Sequence, residues 1–269
     1  MTLKKMTVPE IIRMKEQKQK IAALTAYDYL MAKILDQAGI DVILVGDSVG
    51  MVVSGYSSTL PVTLEQIIYH TQAVSRGVTR ALLVADMPFL SFQVSEADTI
   101  ENAGRLMKEG NAEAVKIEGG EPVAGVISKL VAFGIPVMGH LGLTPQSYNK
   151  FGGFKVQARE EAAAKKLLMD AKILQEAGVF SIVLEKVPAP LASQVSDALR
   201  IPTIGIGAGS GCDGQILVSH DMLGLFKEFR PKFVRRYAEL ADEMKAAFSH
   251  YIQDVKSGAF PSDDESYLK

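Results

Sequence analysis

The sequence predicts an α/β protein of the (β/α)8 TIM-barrel class, built as a single domain over residues 1–269. Six short β-branched, apolar runs end in ionisable or polar residues: VILVGDS (42–48), ALLVADM (81–87), AVKIEG (114–119), IPVMGHL (135–141), SIVLEKV (181–187) and, with less charge, PTIGIGAG (202–209). Each is followed by a stretch of helix length with a helical apolar period. The 269 residues also match the ~250 typical of one such barrel. Parallel strands covered on both faces read as near-continuous apolar runs, and these do.

The elements follow in order. Thr7-Val8-Pro9-Glu10 reads as a capping box, with Thr7 as N-cap, opening a helix to about residue 18. Its Ile11, Ile12 and Met14 would cover the barrel floor. The first strand is 21–27, and the helix DYLMAKILDQAG after it closes on Gly39. The second strand, 42–47, leads through a long loop, SVGMVVSGYSSTLPVT, to a helix over 63–76. Loops of this length in compact domains serve as lids or interfaces. The third strand (81–86) precedes a helix ending near Gly110, and the fourth (114–118) a helix over 122–133. The fifth (136–140) leads through a second long loop to a helix over 159–177. The sixth (181–186) is followed by a helix over 191–199, then the seventh strand (202–207) and the eighth (215–223). Beyond them the pattern predicts one or two further helices and an acidic tail, FPSDDESYLK.

Composition narrows the function classes. A net charge of −2 carries no electrostatic footprint for nucleic acid or an anionic membrane. No apolar run is long enough to span a bilayer. The first twenty residues have a basic start but no apolar core or cleavage site, so a cytoplasmic protein with small-molecule substrates is expected. Cys212 is the only cysteine, which excludes an intrachain disulfide and a cysteine-based metal cluster.

The active site of a barrel is built from strand ends. Here these supply Asp47 and Ser48, Asp86, Lys116 and Glu118, His140, and Glu185. Side chains alternate along a strand, so Lys116 and Glu118 face the same space. Asp47, Asp86 and Glu118 on neighbouring strands, without cysteine, suggest a hard divalent cation such as Mg²⁺. The alternative is a set of rim carboxylates that are solvated or neutralised by Lys116. Lys116 reads as a clamp for a substrate carboxylate, because a neighbouring Glu118 keeps it protonated and unsuited to Schiff-base chemistry. His140 is a ligand, an acid, a substrate hydrogen bonder or a structural residue; His70, His220 and His250 read as non-catalytic. Glu185, isolated across the barrel, stands where a general base belongs, unless it is held in a salt bridge. GSGCDG (209–214) matches G-x-G-x-x-G but precedes a strand, so it is a phosphate-binding barrel loop or a tight turn.

Together LVGDSVGMVVSGYSSTLPVT, ADMPFLSFQ, VKIEGG, VMGHLGLTPQS, LEKVP and IGIGAGSGCDGQILVSHDMLG resemble the ketopantoate hydroxymethyltransferase family, from about residue 7 to 240. The resemblance implies a barrel of the phosphoenolpyruvate/pyruvate type, here with an N-terminal capping helix and a C-terminal helical extension. It implies one-carbon transfer from 5,10-methylenetetrahydrofolate to 3-methyl-2-oxobutanoate, giving 2-dehydropantoate for pantothenate biosynthesis. Asp47 and Asp86 would ligate Mg²⁺, with Glu118 completing the site directly or through water. Asp47, Ser48, Asp86, Lys116 and His140 would lie at the substrate, and Glu185 would accept the proton. The resemblance also implies a homodecamer built from pentamers. Tyr27, Tyr56 and the loop 142–155 are candidates for folate contact. The rival readings are a Mg²⁺-dependent oxo-acid lyase or phosphomutase, a phosphosugar-binding barrel, and a catalytically dead assembly component.

Overall fold

The computed structural model describes residues 4–153, 155–227 and 231–267. The chain divides into two compact units, Met1–Val218 and Ser219–Lys269. The first is a closed barrel of eight parallel strands in sequential order. Strands β1 (Ile21–Thr25), β2 (Val42–Val45), β3 (Leu82–Asp86) and β4 (Ala114–Glu118) form one half. Strands β5 (Val137–Gly142), β6 (Ser181–Glu185), β7 (Thr203–Ile206) and β8 (Gly214–Leu217) form the other. The eighth strand is shorter than the sequence pattern predicts: a helical turn begins at Ser219.

Helices α1 (Val8–Glu16), α2 (Tyr29–Gln37), α3 (Val49–Val52), α4 (Leu64–Ser75) and α5 (Glu96–Lys108) belong to the first half. They are followed by α6 (Glu121–Ala132), α7 (Tyr148–Phe151), α8 (Glu161–Glu176) and α9 (Ala189–Ala198). Capping residues set several starts. Asp28 accepts from the Met31 amide, Ser95 from Asp98, and Thr63 with Gln66 completes a capping box. The box expected at Thr7 does not form, because Glu10 is drawn to Lys4 and Arg13 instead.

The alternation of side chains along each strand explains both the core and the site. Ile43, Val45, Leu83, Ala85, Val115, Ile117, Ile182 and Leu184 face outward into the layer shared with the helices. The inward set, including Ile21, Val42, Leu44, Leu82, Val84, Ala114, Met138, Val183 and Ile204, fills the barrel, and Ile11 of α1 joins it from the floor. On β3 the inward column runs Leu82, Val84, Asp86; on β4 it runs Ala114, Lys116, Glu118; on β5, Met138 then His140; on β6, Ser181, Val183, Glu185. Each column is mostly small or apolar below and ionisable above.

In the second unit, α10 (Ser219–Met222) and α11 (Leu240–Ser257) are tied by the Tyr237 amide donating to the Met222 carbonyl and the Leu240 amide to Leu223. Burial raises the Asp221 carboxyl to about 6 against the opposing pull of Arg236. Met244, Phe248, Tyr251, Ile252 and Val255 of α11 are exposed.

Candidate active site at the barrel mouth

Strand register brings the upper inward residues together. Asp86 lies beside Lys116 on adjacent strands, and Lys116 Nζ sits 2.6 Å from Asp86 Oδ1. Glu118 lies beside His140, with Oε1 3.2 Å from His140 Nδ1 and 3.8 Å from Lys116 Nζ. Lys116 Nζ is also 3.2 Å from His140 Nδ1. Asp47 stands just past β2, on a turn where its own amide donates to Asp86 Oδ2 at 3.0 Å. Gly46 is tightly placed in this turn, where a Cβ would lie 2.8 Å from Ser48 Oγ. Ser48 in turn shares a 2.8 Å hydrogen bond with the Tyr27 hydroxyl.

Glu185 is not the isolated carboxylate that the sequence suggests. Its Oε2 is 3.4 Å from His140 Nε2, so one imidazole spans Glu118 and Glu185. Glu185 is also more open than His140, with 14% of its side chain exposed against 4%. Gly142 fits beside it because a Cβ would lie 2.2 Å from the Glu185 carbonyl, and its φ of +91° suits glycine.

Burial dominates the electrostatics. It raises the Asp47 carboxyl well above the usual range, reinforced by the charges of Asp86 and Glu118. It also raises Asp86, against the pull of Lys116. Glu118 is lowered despite burial, by His140 and Lys116. Burial works against the Lys116 charge, yet Asp86, Glu118 and Asp47 hold the ammonium protonated. Burial and Lys116 likewise oppose a charged His140, but Glu118 and Glu185 lift the imidazole to about 9. Perturbed groups concentrated in this way mark a functional site.

Two buried carboxylate oxygens, Asp86 Oδ1 and Glu118 Oε1, face Lys116 Nζ and His140 Nδ1 rather than backbone amides. The donor set of hard oxygens fits Mg²⁺, which takes one or two carboxylates and completes its shell with water or substrate oxygens. Among the described residues, no three His, Cys, Asp or Glu side chains are gathered so as to hold a metal ion by themselves.

The sequence reading missed Gln146, at a turn in the loop after β5. It is buried, and its side-chain amide donates to Asp47 Oδ2 at 3.1 Å and to the Met87 carbonyl at 2.9 Å. Its backbone amide donates to Glu118 Oε2 at 3.1 Å. The only signal was the adjacent Pro145, which marks a turn but not its target. The glycines of 209–214 serve packing. A Cβ at Gly209 or Gly211 would collide with Ala189 or Ser193 of α9, and β8 rather than a helix follows. Tyr56 is exposed, while Tyr27 is buried against the Ser48 turn.

A closed parallel barrel with its buried charges gathered at the C-terminal mouth defines an enzyme of the (β/α)8 class. Its backbone is similar to phosphoenolpyruvate phosphomutase from Streptomyces platensis subsp. rosaceus, with a TM-score of 0.62 at 13% identity over 94% of this chain and 88% of that one. It is also similar to 2,3-dimethylmalate lyase, a member of the PEP mutase/isocitrate lyase superfamily, with a TM-score of 0.61 at 15% identity over 97% and 91%. At such identities the likeness concerns the fold. Within that class the chain belongs to the ketopantoate hydroxymethyltransferase family, whose sequence model matches residues 5–263. A 3-methyl-2-oxobutanoate hydroxymethyltransferase of Syntrophus aciditrophicus is 56% identical over 98% of this chain and 97% of its own. Another, of Syntrophotalea carbinolica, is 57% identical over 98% and 99%. No helix among the described residues is long and apolar enough to cross a membrane.

Proposed function

We propose that this protein transfers a hydroxymethyl group from 5,10-methylenetetrahydrofolate to 3-methyl-2-oxobutanoate, giving 2-dehydropantoate and tetrahydrofolate, with Glu185 as the base. The observation that carries this reading is the gathering at the mouth of three buried carboxylates, Asp47, Asp86 and Glu118, with Lys116, and of a more open carboxylate, Glu185, reached through His140. Family membership supplies the substrate class. Asp47 and Asp86 would hold Mg²⁺, with Glu118 completing the site directly or through water. A phosphonopyruvate hydrolase of the same fold, at a TM-score of 0.62 and 13% identity, is described in complex with oxalate and Mg²⁺. When bound, the ion supplies Lewis-acid stabilisation for negative charge developing on the 2-oxo oxygen.

The chain's own residues do the rest. Lys116 and Ser48 bind the carboxylate and 2-oxo oxygens of the substrate, and the fixed ammonium adds electrostatic stabilisation. Glu185 Oε removes the C3 proton, a positioned transfer worth ~10²–10⁴ in rate. His140, next to Glu185, holds that carboxylate toward the substrate. The enolate carbon then joins the one-carbon unit. Because C3 becomes quaternary, tetrahydrofolate cannot depart by elimination through C3, and one water enters to release it.

The test is formation of 2-dehydropantoate from both substrates, with EDTA and Mg²⁺ add-back. Glu185→Gln should retain oxo-acid binding but lose C3 deuterium exchange; unchanged exchange removes Glu185 from the base role. Turnover of an oxo acid without the folate donor would favour the lyase reading. We further propose a cytoplasmic homo-oligomer, the decamer of the family, supported by the exposed apolar residues of α11. Mass measurement in solution checks the assembly.

A further inference from the structure

The geometry points to Gln146 as a positioning residue that couples docking of the loop 143–153 to divalent-cation binding. The inference rests on the proposed cation site at Asp47, Asp86 and Glu118. One buried residue reaches three consecutive strand ends: its side-chain amide donates to Asp47 Oδ2 after β2 and to the Met87 carbonyl after β3, and its backbone amide donates to Glu118 Oε2 at the end of β4. Its side-chain Oε1 accepts from Gln93 Nε2, on the loop after β3, at 3.4 Å. This loop carries only short regular structure. It consists of one 3-10 turn at Pro145–Ser147 and the single-turn helix α7, with Asn149 and Lys150 exposed.

The way each carboxylate divides its two oxygens gives the latch its meaning. Glu118 Oε2 is held by the Gln146 amide while Oε1 faces His140 Nδ1 at 3.2 Å and Lys116 Nζ at 3.8 Å. Asp86 Oδ2 is held by the Asp47 amide while Oδ1 faces the Lys116 ammonium at 2.6 Å. In both, a neutral amide fixes the carboxylate's orientation and leaves the other oxygen for a cation or a cationic group. Gln146 treats Asp47 Oδ2 the same way. A neutral donor suits this task, since a lysine or arginine here would orient the carboxylates but cancel the charge that attracts the cation. Residues that orient metal ligands in this way typically contribute 10–100-fold to affinity. Coupling is reciprocal: if the docked loop favours the cation, the cation must favour the docked loop.

The test uses the full-length protein, with Mn²⁺ as the probe and Gln146→Met as the variant, which keeps side-chain length and the backbone donor but loses the amide. Gln146→Glu, which sets a carboxylate against Asp47, is the second variant should the first fold poorly. Calorimetric titration should show Mn²⁺ affinity weakened about 10-fold or more by either change. Trypsin should cut faster after Lys150 and Lys155 in the metal-free variants than in the native protein. Saturating Mn²⁺ should protect these sites in the native protein but not in the variants. Equal affinity and equal cutting in native and variant proteins would overturn the latch. Absence of Mn²⁺ binding by the native protein would overturn the cation site, whereas the metal-free cutting comparison reads the loop contact alone.

Discussion

Two buried aspartates, at opposite ends of the barrel, show what separates a structural carboxylate from a functional one. Asp36, late in α2, is 6% exposed, and Asp47, at the mouth, 4%. Burial alone does not distinguish them. Asp36 accepts hydrogen bonds from the Thr79 amide and hydroxyl and from the Arg80 and Ala81 amides, all between 2.7 and 3.1 Å. These donors overcome the effect of burial and lower its pKa. Asp47 is raised instead, by burial and then by the charges of Asp86 and Glu118. A saturated carboxylate pins the chain entering β3. A buried carboxylate crowded by its own kind is held at a cost in stability, which is the usual signature of a site that awaits a ligand.

The comparison can be broken most directly at Asp47. Asp47→Asn should reduce kcat/KM on the order of 10³-fold, the scale of losing one electrostatic stabiliser. The metal-free variant should melt at the same temperature as the native protein or higher, because a repelled buried charge is gone. A clear fall in Tm would make Asp47 structural.

Asp36→Asn should do the reverse. Backbone donors would face a neutral amide, costing about 2–4 kcal/mol in denaturant unfolding. The folded fraction should keep its kcat within about twofold, and a large loss would tie this end of the barrel to catalysis.

His140 supplies the next step, read in the metal-free protein. Its folded value of about 9 lies above the ordinary 6.5, so its contribution is fully present below 6.5 and is lost as pH rises through 9. NMR of the imidazole should show the late titration. Stability should fall over pH 7 to 9.5 by on the order of 1–3 kcal/mol, and His140→Gln should flatten that slope.

The smallest effect tests donor satisfaction without buried charge. Thr63→Ala removes the capping box with Gln66 at the start of α4 and should cost about 1 kcal/mol. Activity at the mouth should not change.

Much of the site could be read from strand ends. Asp86, Lys116, Glu118, His140 and Glu185 are the upper members of inward columns, and a period of two residues is enough to place them. Asp47 follows the same logic by one turn. The link from Glu118 through His140 to Glu185 was not readable, since it depends on how far adjacent columns lean toward each other in a closed barrel. Gln146 was hidden for a different reason. Loop residues obey no period, and its target strands lie 28 and 99 residues away in sequence. The Thr7 box failed because two basic side chains competed for Glu10.

By itself, then, the sequence determined the barrel, the order of its strands and the residues that face the mouth, because apolar periodicity and side-chain alternation are local properties. Tertiary structure decided which carboxylates are satisfied by backbone amides and which are crowded together around Lys116 and His140. It also joined Glu118 to Glu185 through one imidazole and brought Gln146 from a distant loop against three strand ends. Those outcomes depend on which partners arrive from elsewhere in the chain, and a buried charge is stabilised or destabilised by its partners rather than by its position in the sequence.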